Sequence, residues 1–137
     1  VVGGDVGGEA PVQGAPDEAW TWRQLPALSA ARRNCSGCVM SDGRFAVLGG
    51  KNLGGVATSS CEALAIGDND GHWEPLLPMH DPRDSFACAA VAGCVIVAGG
   101  FGRRSAEVYN EVLGRWLRLP RDLPPYSGTW HTGSALL

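Results

Sequence analysis

Long apolar runs are missing from this sequence, and so is any sustained helical period. No stretch of its 137 residues approaches the roughly eighteen consecutive apolar residues of a membrane-spanning helix, so no membrane partner is expected. Lysine is almost absent, since ten of the eleven basic residues are arginine. The net charge of −3 gives no basic footprint for a nucleic-acid partner. What is present is 45% hydrophobic and only 18% charged, which is the balance of a globular chain and not of a disordered one. Without a helical period, the apolar residues point to an all-β protein.

The motifs that would carry catalysis or cofactor binding also fail. Gly99-Gly100 ends an apolar run, as a phosphate loop would, but Phe101-Gly102-Arg103-Arg104-Ser105 supplies no Gly-Lys-Ser/Thr. The dinucleotide spacing is absent too. Cys35 and Cys38 form a C-x-x-C, yet a structural zinc requires a second ligand pair, and the sequence offers none. Gly67-Asp68-Asn69-Asp70-Gly71 has the acids of a calcium loop. Aligning Gly71 with the loop glycine puts Ile66 and Leu77 at ligand positions, so the stretch reads as a turn. His72, His80 and His131 share no ligand spacing, and Ser36 and Ser85 sit in no nucleophile elbow. No catalytic residue, metal or cofactor is expected. Five cysteines, an odd number, favour thiols in a reducing compartment, hence a cytoplasmic or nuclear location.

The sequence repeats. RNCSGCVMSDGRFAVLGG, from Arg33, lies on RDSFACAAVAGCVIVAGG, from Arg83, without a gap at an offset of fifty residues. Cys38 then matches Cys88, Gly43 matches Gly93, and Gly49-Gly50 match Gly99-Gly100. Val1-Val2-Gly3-Gly4 is a third such ending, and spacings of this size are those of propeller blades. Downstream, Ser60-Cys61-Glu62-Ala63-Leu64 matches Ser105-Ala106-Glu107-Val108-Tyr109, and Trp22, Trp73 and Trp116 share one slot, each followed by a proline.

This order of Arg, apolar strand, Gly-Gly, Glu-x-Tyr and Trp resembles the kelch repeat. The text PRDSFACA, VAGG and SAEVYN looks most like the plant-type F-box/kelch family, although no F-box is present. The resemblance implies a partial β-propeller: two complete four-stranded antiparallel blades flanked by two partial ones. The blades would be 26–76 and 77–119, with 1–25 ending an earlier blade and 120–137 starting a later one. Gly49, Gly50, Glu62, Trp73, Gly99, Gly100, Glu107, Tyr109 and Trp116 would be its structural residues. The opening on Val1-Val2 and the ending on Ser134-Ala135-Leu136-Leu137 lead us to expect a piece of a longer protein.

By the same resemblance the chain is a protein-interaction module, with a protein substrate presented for ubiquitination in an SCF-type ligase. A Skp1-type adaptor would join only through an F-box elsewhere. The rivals are a non-ligase scaffold, such as a cytoskeletal one, and a kelch-propeller enzyme of the galactose oxidase-like or sialate epimerase-like kind. For a copper oxidase the chain offers Tyr109, which fits a structural position, and Tyr126, in a proline-rich link. In kelch proteins that bind acidic peptides, an Arg opening the first strand reaches the ligand. This makes Arg33, Asn34, Arg83, Asp84 and Ser85 the expected partner-binding residues.

Overall fold

The computed structural model describes residues 19–67 and 71–125, together with the backbone of 133–136. Among these residues there is no helix. Strands β1 (Ser36–Val39), β2 (Phe45–Leu48), β3 (Cys61–Ala65) and β4 (His72–Leu76) form one antiparallel meander. Strands β5 (Ala87–Val91), β6 (Cys94–Ala98), β7 (Ala106–Asn110) and β8 (Arg115–Arg118) form a second. A ninth strand, β9 (Gly133–Leu136), pairs in parallel with β5. The stretch read as the opening of a further blade therefore extends the second sheet at the open edge of its innermost strand. Val1 to Gly4, Asp68, Asn69, Asp70, Tyr126 and His131 lie outside the described residues.

The two sheets differ by one residue, and that residue corrects the sequence register. Val91 pairs with Cys94 across a two-residue turn, Ala92-Gly93, with φ of 49° and 74°. Positive φ at both positions is the type I′ geometry that matches strand twist. In the first sheet, Val39 pairs with Phe45 and the Met40 N–H donates to Arg44 O, which leaves a three-residue loop, Ser41-Asp42-Gly43. Ser36 opposes Leu48 and Ala87 opposes Ala98, so the innermost strands stand 51 residues apart and the next ones 50. The counterpart of Arg83 is therefore Arg32 and not Arg33. Likewise Cys88 stands where Gly37 does, and Cys38 corresponds to Ala89.

The sheets pack face to face. Strands of period two send alternate side chains to opposite faces, and in β5 and β6 burial alternates accordingly. Cys88, Ala90, Val95 and Val97 are buried in one cluster with Cys38, Met40, Ala46, Leu48, Cys61 and Ala63 of the first sheet. Ala89, Ile96 and Ala98, on the other face, are half-buried. Small residues predominate at this interface, and the larger Met79, Phe86, Tyr109 and Trp116 fill in around them. Pro75, which cannot donate to a ladder, lies exposed on β4, an edge strand where that loss is harmless.

Candidate functional site

Each sheet is tied by one buried arginine. Arg83 Nη1 donates to Gly99 O at 2.8 Å and Ser105 O at 2.7 Å, and its Nη2 donates to Glu107 Oε2 at 3.0 Å. Glu107 in turn accepts the His80 and Asp81 N–H groups. Arg32 repeats the arrangement, donating to Gly49 O, Ser60 O and Glu62 Oε2, while Glu62 accepts the Ser29 N–H. The four ion-pair side chains are almost fully buried. A planar guanidinium can serve several acceptors from one rigid fork, which suits a junction of strand ends, Gly-Gly turn and carboxylate. Arg83, expected to reach a partner, is spent on the blade interior.

The tryptophans hold the outer strands. Leu64 pairs with Trp73 and Tyr109 with Trp116 in matching registers. Their indole N–H groups donate to Pro26 O at 2.7 Å and Leu77 O at 2.8 Å, in the connections leading to each sheet. Trp116 is buried and tilted against Tyr109, with ring centroids 5.3 Å apart; Trp73 is half-buried beside Phe45.

At one end of both sheets the backbone turns sharply before the innermost strand. Asn34 and Ser85 occupy equivalent left-handed positions, with φ of 54° and 55°, and the Ser85 N–H donates to Asn34 O. Non-glycine residues hold that conformation only where their surroundings impose it. Here a sheet-to-sheet hydrogen bond does so. Gly50 is equally constrained: at φ +99° a Cβ would lie 2.7 Å from Arg33 O. Just outside this junction, Arg33 and Lys51 exchange both backbone hydrogen bonds, as do strand partners. The Lys51 ammonium lies 3.9 Å from Asp84 and 5.6 Å from the centre of the Phe101 ring, both in the second sheet's loops. A cavity of about 210 Å³ opens here, lined by Ala31, Arg32, Arg33, Lys51, Asn52 and Leu53.

No protein-family profile matches the chain. It is 31% identical over 120 residues to an F-box/kelch-repeat protein of Arabidopsis thaliana, covering 75% of this chain and 31% of the relative. The F-box/kelch-repeat protein SKIP30 of the same plant is 33% identical over 72% of this chain and 32% of its own length. Kelch domain-containing protein 9 of Mus musculus is 28% identical over 89% of this chain and 37% of its own length. Among solved structures, YjhT superposes with a TM-score of 0.60 at 20% identity, over 73% of this chain and 30% of that one, a likeness of fold. The chain belongs to the kelch-repeat family. It spans about a third of the length of these curated relatives.

The two sheets are thus kelch blades of a β-propeller. Of the residues expected to bind a partner, Arg33 and Asn34 are exposed, whereas Arg83, Asp84 and Ser85 are buried. Asp84 accepts the Ser85 hydroxyl at 3.1 Å and faces Lys51. Residue-by-residue reading of the sequence missed Arg32, because it stands beside a second arginine that fitted a gapless alignment. It also missed Lys51, Leu53 and Phe101, which repeat nowhere. A signal for Lys51 was available: it is the sole lysine, immediately after Gly-Gly.

Among the described residues, no three His, Cys, Asp or Glu side chains gather as a metal site. The His72 and His80 rings bond locally, to Glu74 and to Trp116 O. Burial pushes the Cys61 thiol up to about 12. Cys38 and Cys88 share a thiol hydrogen bond that lowers the first and raises the second.

Proposed function

We propose that this chain is part of the recognition platform of a kelch propeller, which holds a protein substrate for an SCF-type ubiquitin ligase. The reading rests on how the equivalent positions of the two blades divide. Those that build the blade keep their chemistry: Arg32 and Arg83, Glu62 and Glu107, Trp73 and Trp116. Those on the rim differ, with Arg33 against Asp84 and Lys51 against Phe101. A scaffold with a constant interior and a variable loop face is how rigid folds present binding residues. Arg33 and Asn34 remain the partner-facing members of the original set, with Asp84 and Ser85 shaping the floor beneath them. The ligase part is supported by the names of the two plant relatives.

The test is capture of a Skp1-type adaptor by the full-length protein that contains this chain. We expect the full-length protein to bind the adaptor and residues 1–137 alone to leave it unbound. If the full-length protein does not bind it, the ligase reading fails. A non-ligase scaffold then takes its place, a reading favoured by the match to the mouse kelch-domain protein over most of the chain. A cytoplasmic or nuclear location is part of the same proposal and is read by imaging the tagged full-length protein.

A further inference from the structure

The junction between the two blades carries an electrostatic arrangement that the fold does not need. Arg33 and Lys51 are a directly opposed strand pair, so their side chains leave the same face, and like charges so placed are destabilising. Lys51 is partly relieved by Asp84 and by the Phe101 ring. Arg33 has no acidic partner among the described residues; its guanidinium lies over the Gly55 turn, 3.7 Å from where a Cβ there would stand. The chain as a whole is acidic, so an unneutralised cation beside a second one is a local exception.

Apolar side chains surround the pair. Leu53 is 92% exposed, Val56 62% and Phe101 53%. Leu53 and Val56 bracket the Gly54-Gly55 turn, while Phe101 comes from the neighbouring blade. The 210 Å³ cavity between Arg33, Lys51 and Leu53 is smaller than the roughly 300–1,000 Å³ typical of small-molecule sites, so it fits a side chain better than a cofactor. A lipid surface would also favour cations beside exposed apolar groups. Sequences that read anionic lipid usually cluster about four to eight cations, however, and here two share the face.

We propose that this cleft takes a protein segment in which a carboxylate lies beside an apolar side chain, the carboxylate between Arg33 and Lys51 and the apolar group against Leu53 and Phe101. The proposal rests on the protein-recognition reading above and adds the partner's chemistry. Arginine suits the role because its fork can meet both carboxylate oxygens at once. Because Lys51 and Phe101 come from different blades, the cleft exists only while the blades stay docked.

The test uses fluorescein-labelled decapeptide pools on a Gly/Ser background, read by anisotropy against the protein. One pool has a central Asp or Glu next to Leu or Phe. A second has Asn or Gln in place of the acid, and a third has Ala in place of the apolar residue. We expect the first pool to bind at least tenfold more tightly than either control, and Arg33→Glu to reduce its affinity at least tenfold. Leu53→Ser should reduce it several-fold, with thermal midpoints unchanged in both variants. Equal binding of the acid and amide pools, no binding by any pool, or an unaffected Arg33→Glu protein would each overturn the proposal. So would Arg33-dependent sedimentation with phosphatidylserine vesicles in the absence of peptide binding, which would assign the face to lipid. None of these outcomes bears on adaptor capture, so the ligase reading stands or falls separately.

Discussion

Replacing Glu107 by Gln removes one charge from the interior of the second blade and leaves the shape nearly intact. Both members of the Arg83–Glu107 pair are fully buried, at 3.0 Å. Breaking a buried pair from one side typically costs about 3–5 kcal/mol, because the remaining charge stays desolvated. Asp81 lies 3.6 Å from Arg83 Nη2 and keeps part of the compensation, so the lower end, about 3 kcal/mol, is expected for Glu107→Gln. The double variant Arg83→Met/Glu107→Leu is the sharper experiment. Simple buried ion pairs are often replaced by apolar residues without loss. Here the side chains also serve Gly99 O and the His80 and Asp81 N–H groups, which the double variant would strand. At about 1–3 kcal/mol for each stranded buried group, the double variant stays at least about 3 kcal/mol below wild type. Equilibrium urea unfolding followed by circular dichroism measures both changes at constant m-value. Arg118→Ala, which breaks an exposed ion pair to Asp81, should shift stability by less than about 1 kcal/mol in the same assay. A double variant as stable as wild type would refute the staple and leave an ordinary replaceable ion pair.

Three further outcomes follow from the geometry. Gly50→Ala meets Arg33 O at 2.7 Å in a left-handed position, whereas Gly43→Ala has a positive φ but open space, so Gly43→Ala should cost about 1–2 kcal/mol and Gly50→Ala clearly more. Comparable thermal midpoints for the two would count against the close approach at the blade junction. The Ser105 hydroxyl, followed by the nearby Arg118 and Arg83 charges, holds the Asp81 carboxyl below the usual range. A lowered folded value means that this stabilisation is fully present above the unfolded value, roughly pH 4, and is lost as pH falls through the folded one. An acid titration of stability should therefore be shallower in Asp81→Asn than in wild type, and identical acid limbs would contradict this. The thiols should sort by burial: native-state alkylation read by mass spectrometry should label half-buried Cys35 and Cys94 before Cys61 and Cys88, whose raised values keep them protonated. Early labelling of Cys61 would mean that the interface between the sheets opens readily.

The strands, the Gly-Gly endings and the Glu and Trp slots were legible in the sequence because each blade solves the same packing problem with the same residue. The register of the first strand was not. The hairpin of the first blade holds three loop residues and that of the second holds two, a difference that leaves no mark when arginine stands at both Arg32 and Arg33. Only burial separates the two: one guanidinium closes on Glu62 and the other faces solvent. The rim was illegible for a deeper reason. Comparing blade with blade finds positions on which every blade depends, and these are by construction the positions that hold the propeller together. Lys51 and Phe101 occupy equivalent places in the two loops and share no chemistry, so the comparison discards them, as it discards Arg33 against Asp84. Yet a ring of near-identical blades can distinguish partners only where its blades differ. In a repeat protein, then, the residues that fail to align, on a face where aligned backbones hold them in place, are the first candidates for recognition.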